Sequence, residues 1–255
     1  MIIDDIINEA GIRASALKES GGKERENDSG YKPVSLKSAI KKCSDKNAVI
    51  AEIKYRSPAE GNLKTTLAPG SIAKVYESGG CTAISVLTES TYFGGNLENI
   101  NLARISTRLP ILRKDFIVDE AQIIETGKTP ADALLLIAGV VKENLKDYIA
   151  LSESLSLEAL VEVHTVKEAE EAIKSGAELI GINNRDLKTM KTDISKTAEI
   201  SCLIQDAGVL KVSESGIKTP EDVIKLKKHC DAFLIGTSLM NSDSLKSTLE
   251  GFVFA

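Results

Sequence analysis

From residue 47 onward, short apolar runs alternate with stretches whose apolar residues recur three and four positions apart. Strand candidates begin near Val49, Ala83, Pro110, Ala133, Glu158, Leu179, Val209 and Ala232. The helical pattern falls between and after them, over 72–77, 97–106, 120–126, 142–155, 166–174, 195–204, 220–228 and 244–252. Strand–helix units repeated in this way predict an α/β chain closed as a (β/α)8 TIM barrel. A doubly wound open sheet is the structural rival, but its first strand is usually followed by a Gly-rich nucleotide turn. Here Ser57-Pro58-Ala59-Glu60-Gly61 follows, which is neither G-x-G-x-x-G nor a P-loop.

Ahead of the barrel, Ile2, Ile3, Ile6, Ile7 and Ala10 recur at helical spacing with Asp4, Asp5, Asn8 and Glu9 between them. This predicts an amphipathic helix. Residues 21–32 are polar and read as a loop, and a short helix is expected over 35–43. The chain 1–255 therefore reads as one barrel domain, with 1–46 an N-terminal helical extension that caps it.

The apolar runs have an unusual feature: several end in a charged or amide side chain. The endings are Glu52-Ile53-Lys54, Thr88-Glu89, Arg113-Lys114, Glu162-Val163, Asn183-Asn184 and Ser213-Glu214. Strands of a parallel sheet are buried on both faces. A charge at such a place is costly unless it is paired, solvated or used. A parallel barrel brings all these ends to one mouth, where active sites of this fold form. Alternation puts Glu52 and Lys54 on one face and Ile53 on the other. By the same rule Lys114 shares a face with Leu112 and Phe116, and Arg113 and Asp115 point away from it toward salt bridges at the rim. A structural ion pair remains the rival reading for Glu52 and Lys54. His164, two residues past Glu162, reads equally as catalytic or as a satisfied polar residue at a helix entry. Tyr92 and Phe93 either line a ring pocket or cover the core.

Composition narrows the partners. Hydrophobic residues make up 42% of the chain and aromatics only 4%, so the core must be aliphatic. A net charge of -5 argues against nucleic acid, which needs a basic surface. Cys43, Cys81, Cys202 and Cys230 form no C-x-x-C pair and read as free thiols in a reducing cytoplasm. With His164 and His229 as the only histidines, no metal site is expected. No signal peptide or membrane span is visible.

Ser213-Glu214-Ser215-Gly216-Ile217 follows the seventh strand, and Leu234-Ile235-Gly236-Thr237-Ser238 follows the eighth. Loops at these two places of a barrel frequently hold phosphate. Small residues let backbone N–H groups approach the anion. The residues alone thus reach a phosphorylated small molecule handled by lysine and glutamate acid–base chemistry.

These segments resemble the indole-3-glycerol phosphate synthase family of tryptophan biosynthesis. The resemblance is carried by Ala51-Glu52-Ile53-Lys54 with Ser57-Pro58, by Ser85-Val86-Leu87-Thr88-Glu89 with Tyr92-Phe93-Gly94-Gly95, and by Leu112-Arg113-Lys114-Asp115-Phe116. It continues through Leu160-Val161-Glu162-Val163-His164, Gly181-Ile182-Asn183-Asn184-Arg185-Asp186-Leu187 and the two small-residue loops. It implies ring closure, decarboxylation and dehydration of 1-(2-carboxyphenylamino)-1-deoxyribulose 5-phosphate, without metal or cofactor. Lys114 would be the general acid, and Glu162 and Lys54 would move protons in the dehydration. Glu52 and Asn183 would position substrate groups, Ser57 and Arg185 would touch substrate, and Glu214 would support the mouth. Phe93, Phe116 and Leu187 would hold the aromatic ring, with Ser215, Gly216, Gly236 and Thr237 around the phosphate. Thr237 stands where the family usually has serine, and Ala59 where a second serine is common. Association with other enzymes of tryptophan synthesis stays open.

Rival functions are another sugar-phosphate barrel such as phosphoribosylanthranilate isomerase, a Schiff-base aldolase using Lys54 or Lys114, and a non-catalytic phosphosugar-binding protein. The loop over 55–70 is long for a βα connection, where about 2–6 residues are usual. It is expected to act as a lid.

Overall fold

Along most of the barrel strands, aliphatic residues that face the helices alternate with residues that fill the barrel interior. That alternation is what the computed structural model of the chain displays; it describes residues 2–19, 31–187 and 189–255. The strands are β1 (Ala48–Ile53), β2 (Ala83–Leu87), β3 (Ile111–Lys114), β4 (Ala133–Ile137), β5 (Glu158–Val163), β6 (Leu179–Asn183), β7 (Leu210–Glu214) and β8 (Ala232–Ile235). Each pairs in parallel with its neighbours in sequence, and β8 closes onto β1 through Val49↔Phe233 and Ile50↔Leu234. The chain is a TIM barrel.

The helices are α1 (Ile2–Glu19), α2 (Leu36–Lys42), α3 (Pro69–Ser78), α4 (Glu98–Arg104), α5 (Glu120–Gly127), α6 (Ala138–Val141), α7 (Leu145–Ser154), α8 (Val166–Lys174), α9 (Ser195–Leu203), α10 (Pro220–Leu226), α11 (Thr237–Met240) and α12 (Leu245–Val253). Their starts carry local signals. Asp119 accepts from the Ala121 N–H, Thr165 from the Glu168 N–H and Ser244 from the Ser247 N–H. Sequence periodicity missed α6, a single turn within an aliphatic run. The helix expected from 142 begins with a 3-10 turn, Lys142–Asn144, before α7.

The interior core consists of Ile50, Ala83, Leu112, Ala133, Leu135, Leu160, Leu179, Val212 and Leu234, closed at the bottom by Leu36 and Ile40 of α2. The bottom is also tied electrostatically. Glu158 accepts from the Ser35 hydroxyl at 2.6 Å and the Lys37 N–H at 2.8 Å. Asp132 accepts from the Tyr31 hydroxyl and, at 2.5 Å, from Arg104. α1 lies at the opposite end: Arg13 pairs with Asp115 at 3.0 Å and Lys18 with Asp119 at 2.6 Å. The polar loop expected over 21–32 falls mostly outside the described residues. The connection after β1 is not structureless, because Arg56–Ser57 and Gly61–Asn62 pair as a small antiparallel hairpin.

Candidate active site

The strand ends enclose a cavity of about 320 Å³ at the C-terminal mouth. All eight strands contribute to its lining, and every residue to which the family resemblance gives a role faces it. One of the polar strand ends does not join them. β2 ends at Leu87, so the alternation stops there and Glu89 is turned away. Fully buried, Glu89 accepts from the backbone N–H groups of Thr91, Tyr92 and Phe93 at 2.9, 2.7 and 3.0 Å. It is a loop anchor, and it delivers Phe93 to the cavity while Tyr92 stays outside the lining.

Lys114 sits among three carboxylates. Its Nζ is 3.0 Å from Glu162 Oε2 and 3.4 Å from Glu214 Oε2. Burial alone would lower the lysine, but the charges of Glu162, Glu214 and Glu52 outweigh it and hold the ammonium above its ordinary range. Burial would raise Glu162, yet Lys114, His164 and the Asn183 hydrogen bond bring it down to about 2. Asn183 donates to Glu162 Oε1 at 2.9 Å. Glu214 goes the other way, pushed up to about 8 by burial and by the neighbouring Glu162 and Glu52, with Lys114 opposing. Neither carboxyl oxygen of Glu214 has a hydrogen-bond partner among the described residues. The site thus drives its two acids apart, Glu162 toward the ionised form and Glu214 toward the protonated one. Glu52 and Lys54 form a separate pair at 2.7 Å.

Two glycines make room for these acids. A Cβ on Gly181 would overlap Glu214 Oε1, and one on Gly236 would overlap Glu52 Oε1. Both carboxylates occupy space that any other residue would fill.

The cavity has an apolar side and a small-residue side. Phe93 and Phe116 stand with ring centroids 6.0 Å apart, tilted by 31°, and Leu187 adds to this wall. Arg185 is fixed by its own N–H to Asn183 Oδ1 at 2.9 Å and by Nη1 to the Met190 carbonyl at 3.1 Å. Opposite, Ser215 and Gly216 both adopt positive φ, at 67° and 82°. Ser238 donates to the Ile217 carbonyl at 2.8 Å, tying the loops after β7 and β8 together. Ser57 accepts the Glu60 N–H at 3.1 Å, which shapes the β1 loop as it passes over the cavity.

Arg113 points outward as alternation requires and bonds at 3.0 Å to Asp115, which follows the strand and touches the edge of the cavity. His164 does not line the cavity; it stands behind Glu162. Sequence reasoning missed two contributors. Ile2, Ile3 and Ile6 of α1 line the cavity, although their spacing gives only an apolar face without a target. Lys218 also reaches it, and a cation just after a small-residue loop was the available signal.

Fold and site together define a barrel enzyme with paired lysine and glutamate groups at its mouth. The indole-3-glycerol phosphate synthase family profile matches residues 5–252, and the chain belongs to that family of carboxy-lyases of tryptophan biosynthesis. Among its relatives, the indole-3-glycerol phosphate synthase of Aquifex aeolicus is 47% identical over 209 residues, covering 81% of this chain and 80% of the relative. That of Acetivibrio thermocellus is 40% identical over 259 residues, covering 99% of both. Among solved structures, tryptophan synthase from M. tuberculosis superposes with a TM-score of 0.62 at 12% identity, covering 87% of this chain and 98% of that one. At that identity the likeness is one of fold alone.

Proposed function

We propose that the chain converts 1-(2-carboxyphenylamino)-1-deoxyribulose 5-phosphate into indole-3-glycerol phosphate, carbon dioxide and water, with Lys114 as general acid. The observation that carries this reading is the Lys114 ammonium 3.0 Å from an ionised Glu162, between an aromatic wall and two small-residue loops in one cavity. The substrate's aromatic ring lies against Phe93, Phe116 and Leu187. Its phosphate lies at Ser215, Gly216, Gly236 and Thr237, whose backbone approaches without intervening side-chain bulk.

Lys114 protonates the ketone oxygen as the ring carbon attacks, and a preorganised ammonium stabilises the charge that develops there. Carbon dioxide then departs and leaves its electron pair in the ring. Glu162 and Lys54 exchange protons in the dehydration that follows. Glu52 and Asn183 hold these groups and the substrate hydroxyls in place, Arg185 and Ser57 contact substrate, and Glu214 supports the mouth. Lysine and glutamate supply every proton transfer, so the reading needs no metal or cofactor. It includes a cytoplasmic location, in keeping with four free cysteines. A Schiff-base aldolase is less well supported, because its lysine must act as a neutral amine and Lys114 is held charged.

The test is direct. Purified protein mixed with the substrate should produce indole absorbance and fluorescence; a folded protein that leaves the substrate unchanged overturns the reading.

A further inference from the structure

His164 follows the last residue of β5 and stands behind Glu162. Its Nε2 lies 3.4 Å from Glu162 Oε1, is buried, and has no hydrogen-bond partner among the described residues. On the other side of the ring, Nδ1 lies 3.7 Å from Glu168 Oε2. Glu168 sits in the first turn of α8 and is held by two backbone bonds: its N–H donates to Thr165 Oγ1 at 3.2 Å, and its Oε2 accepts the His164 N–H at 2.6 Å. The three side chains form a graded path. Side-chain exposure rises from 2% at Glu162 to 12% at His164 and 24% at Glu168.

The reaction proposed above gives such a path a task, and the inference rests on that reading. The departing water is built from the ketone oxygen and two protons. The methylene beside the nitrogen gives up one as the indole double bond forms. The carboxyl group leaves as carbon dioxide from its anionic form and supplies none. One proton must therefore enter from solvent in every turnover. Lys114 and Glu162 can exchange a proton across 3.0 Å, but both are buried beneath the substrate.

We propose that His164 is a proton relay that recharges Glu162 from solvent, with Glu168 as its outer station. A proton arriving beside Glu168 binds Nδ1, and the proton on Nε2 passes to Glu162 Oε1. Glu162 in turn restores the Lys114 ammonium through its other oxygen. An imidazole suits this role because its two ring nitrogens can bind and release a proton on opposite sides. His164 acts through Glu162 and touches no substrate, so it is a positioning and relay residue.

The experiment compares the first turnover with later ones in His164→Gln. Enzyme in excess over substrate begins with the Lys114 ammonium already charged, so its single-turnover rate should match wild type. Steady-state kcat should fall by about 10²-fold with KM little changed, and added imidazole should restore much of the loss. Glu168→Gln, which keeps an acceptor for the His164 N–H, should lower kcat in the same direction by a smaller factor. An unchanged kcat in folded His164→Gln overturns the relay and leaves the proposed reaction standing. Equal losses in the first and later turnovers, with no imidazole rescue, also overturn it and leave His164 as mere packing behind Glu162. If His164→Gln fails to fold, Glu168→Gln decides: unchanged steady-state turnover removes the relay. A wild-type protein that does not turn over the substrate removes the proposed reaction and, with it, the relay.

Discussion

Arg113 lies on one face of β3, joined by Asp115 just past the strand's end, and Lys114 lies on the other, and the two sides treat charge in opposite ways. On the outer face Arg113 pairs with Asp115 at 3.0 Å and Glu125 at 2.9 Å, and donates to Thr126 at 2.8 Å and to Thr88 at 3.2 Å. Asp115 also accepts from Arg13 at 3.0 Å and from the Phe116 N–H at 2.8 Å. Two guanidinium groups meet two carboxylates, and the acceptors are filled. Burial would raise Asp115, but Arg113 and Arg13 outweigh it and keep it ionised. On the inner face the ammoniums of Lys54 and Lys114 face the carboxyl groups of Glu52, Glu162 and Glu214, and Glu214 has no hydrogen bond among the described residues. A cluster whose acceptors are filled fixes shape. An acid-rich, unsaturated one leaves protons free to move and room for a ligand's polar groups. One strand of four residues builds both, because successive side chains point to opposite faces.

The sharpest way to break this comparison is Lys114→Met. If the inner face is chemical, the variant folds and loses about 10²–10⁴-fold in turnover, or roughly 3–5 kcal/mol of barrier. Turnover above about a third of wild type in a folded variant would make Lys114 one more structural ion. The counterpart on the outer face is Asp115→Ala, which takes a carboxylate partner from buried Arg113 and half-buried Arg13. Denaturant unfolding should register a loss of about 3–5 kcal/mol of stability. A loss below about 1 kcal/mol, the range of exposed pairs, would mean that the outer cluster does not fix the shape of the rim.

Glu214 sharpens the comparison through pH. Its folded value of about 8 lies above its ordinary 4.5, so the folded state holds a proton that the unfolded chain has released. Stability should fall as pH rises from 4.5 to about 8, with a limiting slope of about 1.4 kcal/mol per unit from this group. Glu162 works in another window: its lowered value gives stability that is complete above 4.5 and lost as pH falls toward about 2. Unfolding measured across the upper window should show a flatter profile in Glu214→Gln. Parallel profiles would place Glu214 with the ordinary carboxylates.

The smallest expected effect concerns the connection after β1. Its backbone is pinned at Arg56 to the Phe93 carbonyl, at 3.1 Å, and at Thr65 to the Met240 carbonyl, at 3.2 Å. Between these points Ser57, Pro58, Ala59 and Glu60 line the cavity. Hydrogen exchange over residues 56–68 should slow when a phosphorylated substrate analogue binds, as for a lid. Equal protection with and without it would make this segment a fixed wall.

Much of this was legible in the residue order. Alternation separated Lys114 from Arg113 and Asp115, and the repeated polar strand ends pointed to one mouth. Glu89 was misplaced because alternation carries information only while a strand continues, and β2 stops two residues earlier. The contribution of α1 was hidden for a different reason. The Ile2, Ile3 and Ile6 pattern specifies that a face is buried, but long-range pairs such as Arg13 with Asp115 decide against what. The role of His164 was undetermined because it depends on Glu168, which belongs to the next helix and lies on no strand face.

Gly181 and Gly236 carry no reactive atom, yet they set how far this barrel can change. Substitution at either position forces a carboxylate at the mouth to move without altering any acid. For redesign the two glycines are a useful pair. A larger residue at one of them, coupled with a neutral residue at the carboxylate it displaces, would vacate a defined corner of the mouth. New chemistry could be placed there while the Lys114–Glu162 pair stays where it is.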